Sequence, residues 1–169
     1  MKKKNKIIIT LLPILLLGVG LYSFNQDFIG EKINSFFGEK IEIMGSKFGL
    51  VTGYRGDVPK LKETDIITLG DNVQFGWVIA TDVIDKSINW QEVILFPEKP
   101  LNLIVTDATK VSSNGKKAVT KKTFNLEDGL IYNSWALSKE DPLGEYKIKV
   151  YAEGKLLKTF SFQVKADKK

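Results

Sequence analysis

The chain has 169 residues, 43% of them apolar, and a net charge of +5, with neither cysteine nor histidine. The absence of cysteine removes disulfides, thiolate nucleophiles and a lipid-modified cysteine, and the absence of histidine removes imidazole base catalysis and the commonest transition-metal ligand. Lys2, Lys3, Lys4 and Lys6 supply four of the positive charges, and with these set aside 21 basic residues face 20 acidic ones. A phosphate-binding surface needs clustered cations to displace counterions. No such cluster is visible along the chain beyond the terminal KADKK, so nucleic-acid binding is not expected.

The lysine-rich start runs into an uncharged apolar stretch from Ile7 to Phe24. Its 18 residues, at about 1.5 Å each, span roughly 27 Å, close to the hydrocarbon thickness of a bilayer. Two readings are open for residues 1–24. One is a signal peptide cut near Gly18, Gly20 or Ser23; the other is an uncleaved single-pass anchor in which Pro13 is tolerated. Under the positive-inside rule the lysines stay cytoplasmic and the rest lies outside the cytoplasm, in the periplasm or at the cell surface. The chain is then secreted, or held to the membrane through Ile7–Phe24. Residues 25–44 form a connector. Ile29, Ile33, Phe36, Phe37 and Ile41 fall near helical spacing, which suits a short amphipathic helix resting on the domain or lying at the lipid interface.

From Ile41 the apolar period changes from helical to alternating. IEIMGSKFGLVTGY is the first predicted strand, with Gly45 and Gly49 marking a bulge or bend. RGDVPKLKETD is read as a loop, and its RGD triplet, Arg55–Asp57, as a chance match. In NVQFGWVIATDV, Val73, Phe75, Trp77 and Ile79 share one face, with Gln74 and Gly76 opposite. INWQEVILF runs to Pro97 and LNLIVTDA resumes after Pro100, the prolines marking a sheet edge or a crossing between sheets. Asn114-Gly115 predicts a hairpin leading into AVTKKTFNL. GLIYNSWALS carries Ile131 and Trp135 at alternate positions, and KEDPLG turns the chain. Tyr146, Ile148 and Val150 then alternate with Lys147 and Lys149. After the AEGK turn, Phe160, Phe162 and Val164 alternate with Thr159, Ser161, Gln163 and Lys165. One dry and one wet face is the pattern of an antiparallel sheet over a core. Seven or eight such strands, at a spacing of about ten residues, predict an all-β fold. The expected architecture is an immunoglobulin-like antiparallel β-sandwich over residues 45–165, preceded by an N-terminal hydrophobic helix and followed by a solvated basic tail, 166–169.

The order ITLGDNVQFGWVI, NWQEVILFPEKPLN and WALSKEDPLGEYKIKVYAEGKLLKTFSFQV resembles a family of small exported bacterial immunoglobulin-like domains of unassigned function, over about residues 46–165. The closing hairpin is also similar to macroglobulin-type modules. The matching residues are turn and core positions. The resemblance therefore implies a β-sandwich of bacterial origin and transfers no catalytic residue.

The paired acids Asp82 and Asp85, Glu127 and Asp128, and Glu140 and Asp141 lie in predicted turns, where neighbours point into solvent instead of facing each other across a substrate. Ser113 and Lys116 have the spacing of some acyl enzymes but sit in a hairpin turn, and no calcium loop occurs. Neither a catalytic residue nor a cofactor is expected. The reading that follows is a noncatalytic extracytoplasmic interaction module that binds another envelope protein through a sheet edge or loop surface. An envelope carbohydrate-binding domain using exposed aromatics is the alternative, with a carboxylate-based hydrolase behind it. Trp77 and Trp135 are expected in the core. Trp90, which follows the polar turn DKSIN, is expected to be exposed and is the single candidate ligand contact.

Overall fold

A strand with Phe, Ile, Val or Trp at every second position has one face that must leave water, and two such sheets can bury those faces against each other. The computed structural model describes residues 40–101, 103 and 106–167. The leader Ile7–Phe24 and the connector up to residue 39 lie outside the described residues, so the readings made there do too. Everything described belongs to the unit Gly38–Lys169.

Ten strands follow in order: β1 (Ile43–Arg55), β2 (Val58–Glu63), β3 (Ile66–Thr68), β4 (Val73–Thr81), β5 (Lys86–Leu95), β6 (Thr109–Val111), β7 (Lys117–Leu126), β8 (Leu130–Leu137), β9 (Gly144–Ala152) and β10 (Lys155–Lys165). They form a four-stranded sheet, β2-β1-β4-β8, and a six-stranded sheet, β3-β10-β9-β5-β7-β6. All pairings are antiparallel except that of β3 with β10. The fold is an all-β sandwich. Its core runs through Phe75, Trp77 and Ile79 of β4, Ile88, Trp90 and Ile94 of β5, Tyr146, Ile148 and Val150 of β9, and Phe160, Phe162 and Val164 of β10. Phe48 joins them from β1, its ring centroid 4.7 Å from that of Phe162.

Two local devices hold the closing hairpin. Glu153 and Gly154 form its two-residue turn with φ of 47° and 76°, the left-handed pair of a type I′ turn, whose twist matches the flanking strands. Glu153 tolerates that conformation while its Oε1 accepts the Asn89 N–H at 2.6 Å and its own N–H reaches Asn89 O. At the start of β9 the Tyr146 hydroxyl donates to Pro142 O at 2.8 Å, the arrangement of an immunoglobulin tyrosine corner. Burial, with the Asp141 charge adding to it, raises the Tyr146 phenol above its ordinary value. The hydroxyl therefore stays a donor throughout the physiological range.

In its strands the structure differs from the sequence reading in three places. Residues 58–63, read as loop, are β2, and the RGD triplet ends β1 and makes the two-residue turn into it. Pro59 and the charges of VPKLKE mask the strand in the sequence, but β2 is an edge, where a missing N–H costs no ladder bond. The expected strand after Pro100 is not seen in the described residues of that stretch, and β6 begins only at Thr109. Ten strands replace the seven or eight expected, because β3 and β6 span three residues each, too short for a period of two to register. A Tyr146→Phe variant should lose about 1 kcal/mol of stability in urea unfolding, the usual worth of one such hydrogen bond, without a change in the slope of the transition.

Candidate functional site

The inward face of β5 reads Ile88, Trp90, Glu92, Ile94, placing one carboxyl group in an apolar row. Glu92 is 0% exposed, in the middle of the six-stranded sheet between Thr120 of β7 and Val150 of β9. A buried carboxylate needs partners, and the opposite sheet supplies them. Glu92 Oε1 accepts the Trp135 Nε1–H at 2.7 Å and the Asn133 Nδ2–H at 3.1 Å. Its Oε2 accepts the Trp77 Nε1–H. All three partners are donors, which suits a carboxylate, an acceptor with lone pairs on both oxygens. Burial pushes the Glu92 carboxyl above the ordinary carboxylate value, opposed by the hydrogen bonds from Trp77, Trp135 and Asn133 and by the Lys122 charge. Glu92 thus fastens β5 of one sheet to β4 and β8 of the other.

This clamp sets the position of β8. Asn133 and Trp135 point inward from it between Ile131 and Leu137. Gly76 lets β4 come close, since a Cβ there would sit 2.7 Å from Asn133 O. β8 pairs with β4 from Ala80↔Leu130 to Val73↔Leu137 without a register shift. On its other side, no strand pairs with it among the described residues. Sheet edges are usually blunted by short length, proline or charge. β2 has Pro59, Lys60, Lys62 and Glu63, while β3 and β6 are short. By contrast β8, LIYNSWAL, is eight residues long and has none of these devices. Beside it lies a cavity of about 460 Å³, lined from β8 by Asn133, Trp135 and Leu137, and from the other sheet by Ile94, Thr120 and Lys122. Phe96, Pro100, Leu103 and Thr106 form a further wall.

The expected contact residue Trp90 is not at the surface. It is 2% exposed and meets Trp77 edge-on at 5.7 Å between centroids. Lys122 Nζ lies 5.8 Å from its ring. The polar turn does not precede the strand as expected: Lys86 and Ser87 are already part of β5, so Trp90 falls mid-strand on the inward face. It is a core residue of the sandwich, on a central strand of the six-stranded sheet. Trp77 is fully buried as expected, and Trp135 is half-buried and lines the cavity.

Three of the paired acids accept backbone N–H groups, Asp128 and Asp141 within turns and Asp82 across 40 positions. Asp82 Oδ1 accepts the Glu42 N–H, Asp128 Oδ1 the Leu130 N–H, and Asp141 Oδ2 the Ser138 N–H. Among the described residues no group of three or more acids could hold a metal ion. Among the described residues Glu92 is the one deeply buried carboxylate, and its lack of accessible surface keeps a substrate from it unless the sheets part.

The outer faces of the two sheets differ in charge. Register places Lys110, Lys117, Lys121, Lys147, Lys149 and Lys165 outward on the six-stranded sheet, with Glu145 as the acid among its described outward positions. Glu145 pairs with Lys147 at 3.0 Å. The four-stranded sheet shows Gln74, Gly76, Val78, Ser134 and Ala136 there, and its Lys47 pairs with Glu63 at 3.1 Å. The expectation that the cations are unclustered is therefore corrected: period-two alternation gathers lysines from four strands onto one face.

Residues 46–165 match the family described as PM0630 beta sandwich domain. The chain belongs to that family. No curated protein matches the sequence. Among solved structures, an immunoglobulin-like protein from Pseudomonas aeruginosa is 16% identical, covering 75% of this chain and 98% of its own, with a TM-score of 0.47. The Pseudomonas fluorescens alkylpurine DNA glycosylase AlkC is 15% identical over 78% of this chain and 32% of its own, with a TM-score of 0.41. A Listeria innocua β-glucosidase is 14% identical over 76% and 16%, with a TM-score of 0.38. The chain thus spans about a third and a sixth of the two enzymes, and these likenesses carry no activity. The family is one of β-sandwich domains.

Replacing Glu92 by Leu should leave the buried Trp77 N–H and the half-buried Asn133 and Trp135 N–H groups without their acceptor and cost about 3 kcal/mol in urea unfolding. Glu92→Gln tests the charge. Because the folded carboxyl sits above its unfolded value, the folded state holds the proton more tightly, so stability falls as pH rises from the ordinary value of 4.5 through the raised one. The stability of the parent relative to the Gln variant should accordingly decline as the pH is raised through that window. A difference independent of pH would remove the raised titration.

Proposed function

We propose that this family member is a noncatalytic interaction module of the cell envelope that engages another envelope protein by strand addition at β8. The observation that carries the reading is the edge of β8, unpaired among the described residues and without blunting devices of its own, beside an apolar cavity. An extended segment laid along β8 would satisfy its free backbone groups and turn alternate side chains into that cavity, which is how edge recognition joins main-chain affinity to side-chain specificity. The Glu92 clamp supports the reading from behind, since a rigid edge loses less conformational entropy on binding. The extracytoplasmic placement rests on the lysine-flanked apolar run Ile7–Phe24. An immunoglobulin-like sandwich, with Asp82, Asp128 and Asp141 each holding a backbone N–H, favours binding over turnover. The carbohydrate reading through exposed aromatics loses its candidate, because Trp90 is in the core.

A photo-crosslinking residue at Ala136, in full-length protein in its native envelope, should capture one partner. Ser134→Lys, which charges the edge, should cut that yield about tenfold, a loss of roughly 1.4 kcal/mol. Amide exchange over residues 130–137 should slow when the captured partner is present. A probe at Leu61 on β2 that captures the same partner equally well, or unchanged exchange at β8, would end the β8 assignment.

A further inference from the structure

We infer that the outer face of the six-stranded sheet is a second binding surface, for a linear polymer of phosphate-linked sugar or polyol units. Lys117 and Lys121 of β7, Lys110 of β6, and Lys147 and Lys149 of β9 point outward together. At about 4.8 Å between strands and 3.4 Å between residues, they fall within a patch roughly 15 Å across. Such spacings are near the Debye length of about 8–10 Å, so the cations reinforce one another and an extended polyanion could touch several at once. The face also has a groove of about 590 Å³, whose lining includes Asn89, Gln91, Lys121, Thr123 and Tyr151. Gln91 sits in register between Lys121 and Tyr151, and the Thr123 hydroxyl donates to Asn89 Oδ1 at 2.9 Å. Cations beside amides, a hydroxyl and one phenol match a ligand that alternates phosphates with hydroxyl-bearing units. A single-stranded nucleic acid is fitted less well, because stacking needs a series of aromatic side chains and this groove offers Tyr151. A lipid surface is fitted less well too, because the lysines surround half-buried Val93, Val119 and Leu95 instead of a protruding apolar ridge. This surface is separate from the β8 edge, and either can fail without the other.

The test uses full-length protein in detergent micelles and purified poly(glycerol phosphate) as probe, with binding followed across a salt series. Lys117→Glu, Lys121→Glu and Lys149→Glu together should lower affinity more than tenfold and reduce the slope of log affinity against log salt by about 3. The corresponding Gln substitutions should do so less steeply, and they serve if the charge-reversed protein unfolds. Lys47→Glu, Lys60→Glu and Lys62→Glu together, on the other sheet, change the net charge by the same amount and should leave binding unchanged. Equal losses in the two sets, or no loss in the first, would overturn the site. Tighter binding to oligo(dT) or to phosphatidylglycerol vesicles than to the polymer would overturn the ligand class.

Discussion

The sandwich depends on a carboxylate held where a leucine would ordinarily sit. Two sheets packed only through Phe, Ile and Val can slide, because apolar contact has little direction, whereas hydrogen bonds to one carboxylate fix both distance and angle. Glu92 takes its donors from three positions on two strands of the facing sheet: Trp77 on β4, and Asn133 and Trp135 on β8. The two indoles each present one N–H and a large apolar body, so they approach the anion without bringing water with them. In disulfide-bonded immunoglobulin domains a covalent bridge between the sheets pins this layer. With no cysteine in the chain, the polar clamp beside Trp90 ties the two sheets by hydrogen bonds instead.

That clamp explains why β8 remains a well-ordered strand although nothing described pairs with its far side. Its inward residues Asn133 and Trp135 are tied to Glu92, Ile131 is fully buried, and Gly76 lets the β4 backbone come close behind it. The price is an exposed ladder of backbone groups at the margin of the molecule, flanked by a cavity, and this is the feature that a binding partner would use. The loops are acidic and the outer face of the six-stranded sheet is basic. A chain whose charges nearly cancel in sum is therefore far from neutral in its local fields.

Much of the fold was legible because alternation is a local property. Phe75, Trp77 and Ile79, and later Tyr146, Ile148, Val150, Phe160, Phe162 and Val164, all lie on the buried faces that their spacing implied. Asn114-Gly115 makes its hairpin turn, with Gly115 at φ 70°. Less of the site was legible. Glu92 did carry a readable signal, a charge at an inward position between Trp90 and Ile94, and Asn133 another between Ile131 and Trp135. Each, read alone, looks like an interruption of the pattern. Only the pairing of β4 with β8, and the stacking of that sheet on β5, makes the two interruptions one structure.

From the sequence by itself come the sandwich class, the core residues of the long strands, the turns and the lack of thiol or imidazole chemistry. All of these depend on residue type and on spacings within a few positions. The tertiary structure alone decided that Trp90 is core, that β8 is an open edge, that Glu92 is a clamp, and that lysines from four strands share a surface. Those outcomes turn on which strands become neighbours and which faces meet, and that is settled by contacts between residues as far apart as Val73 and Leu137 or Trp90 and Ala152, beyond the reach of any local period.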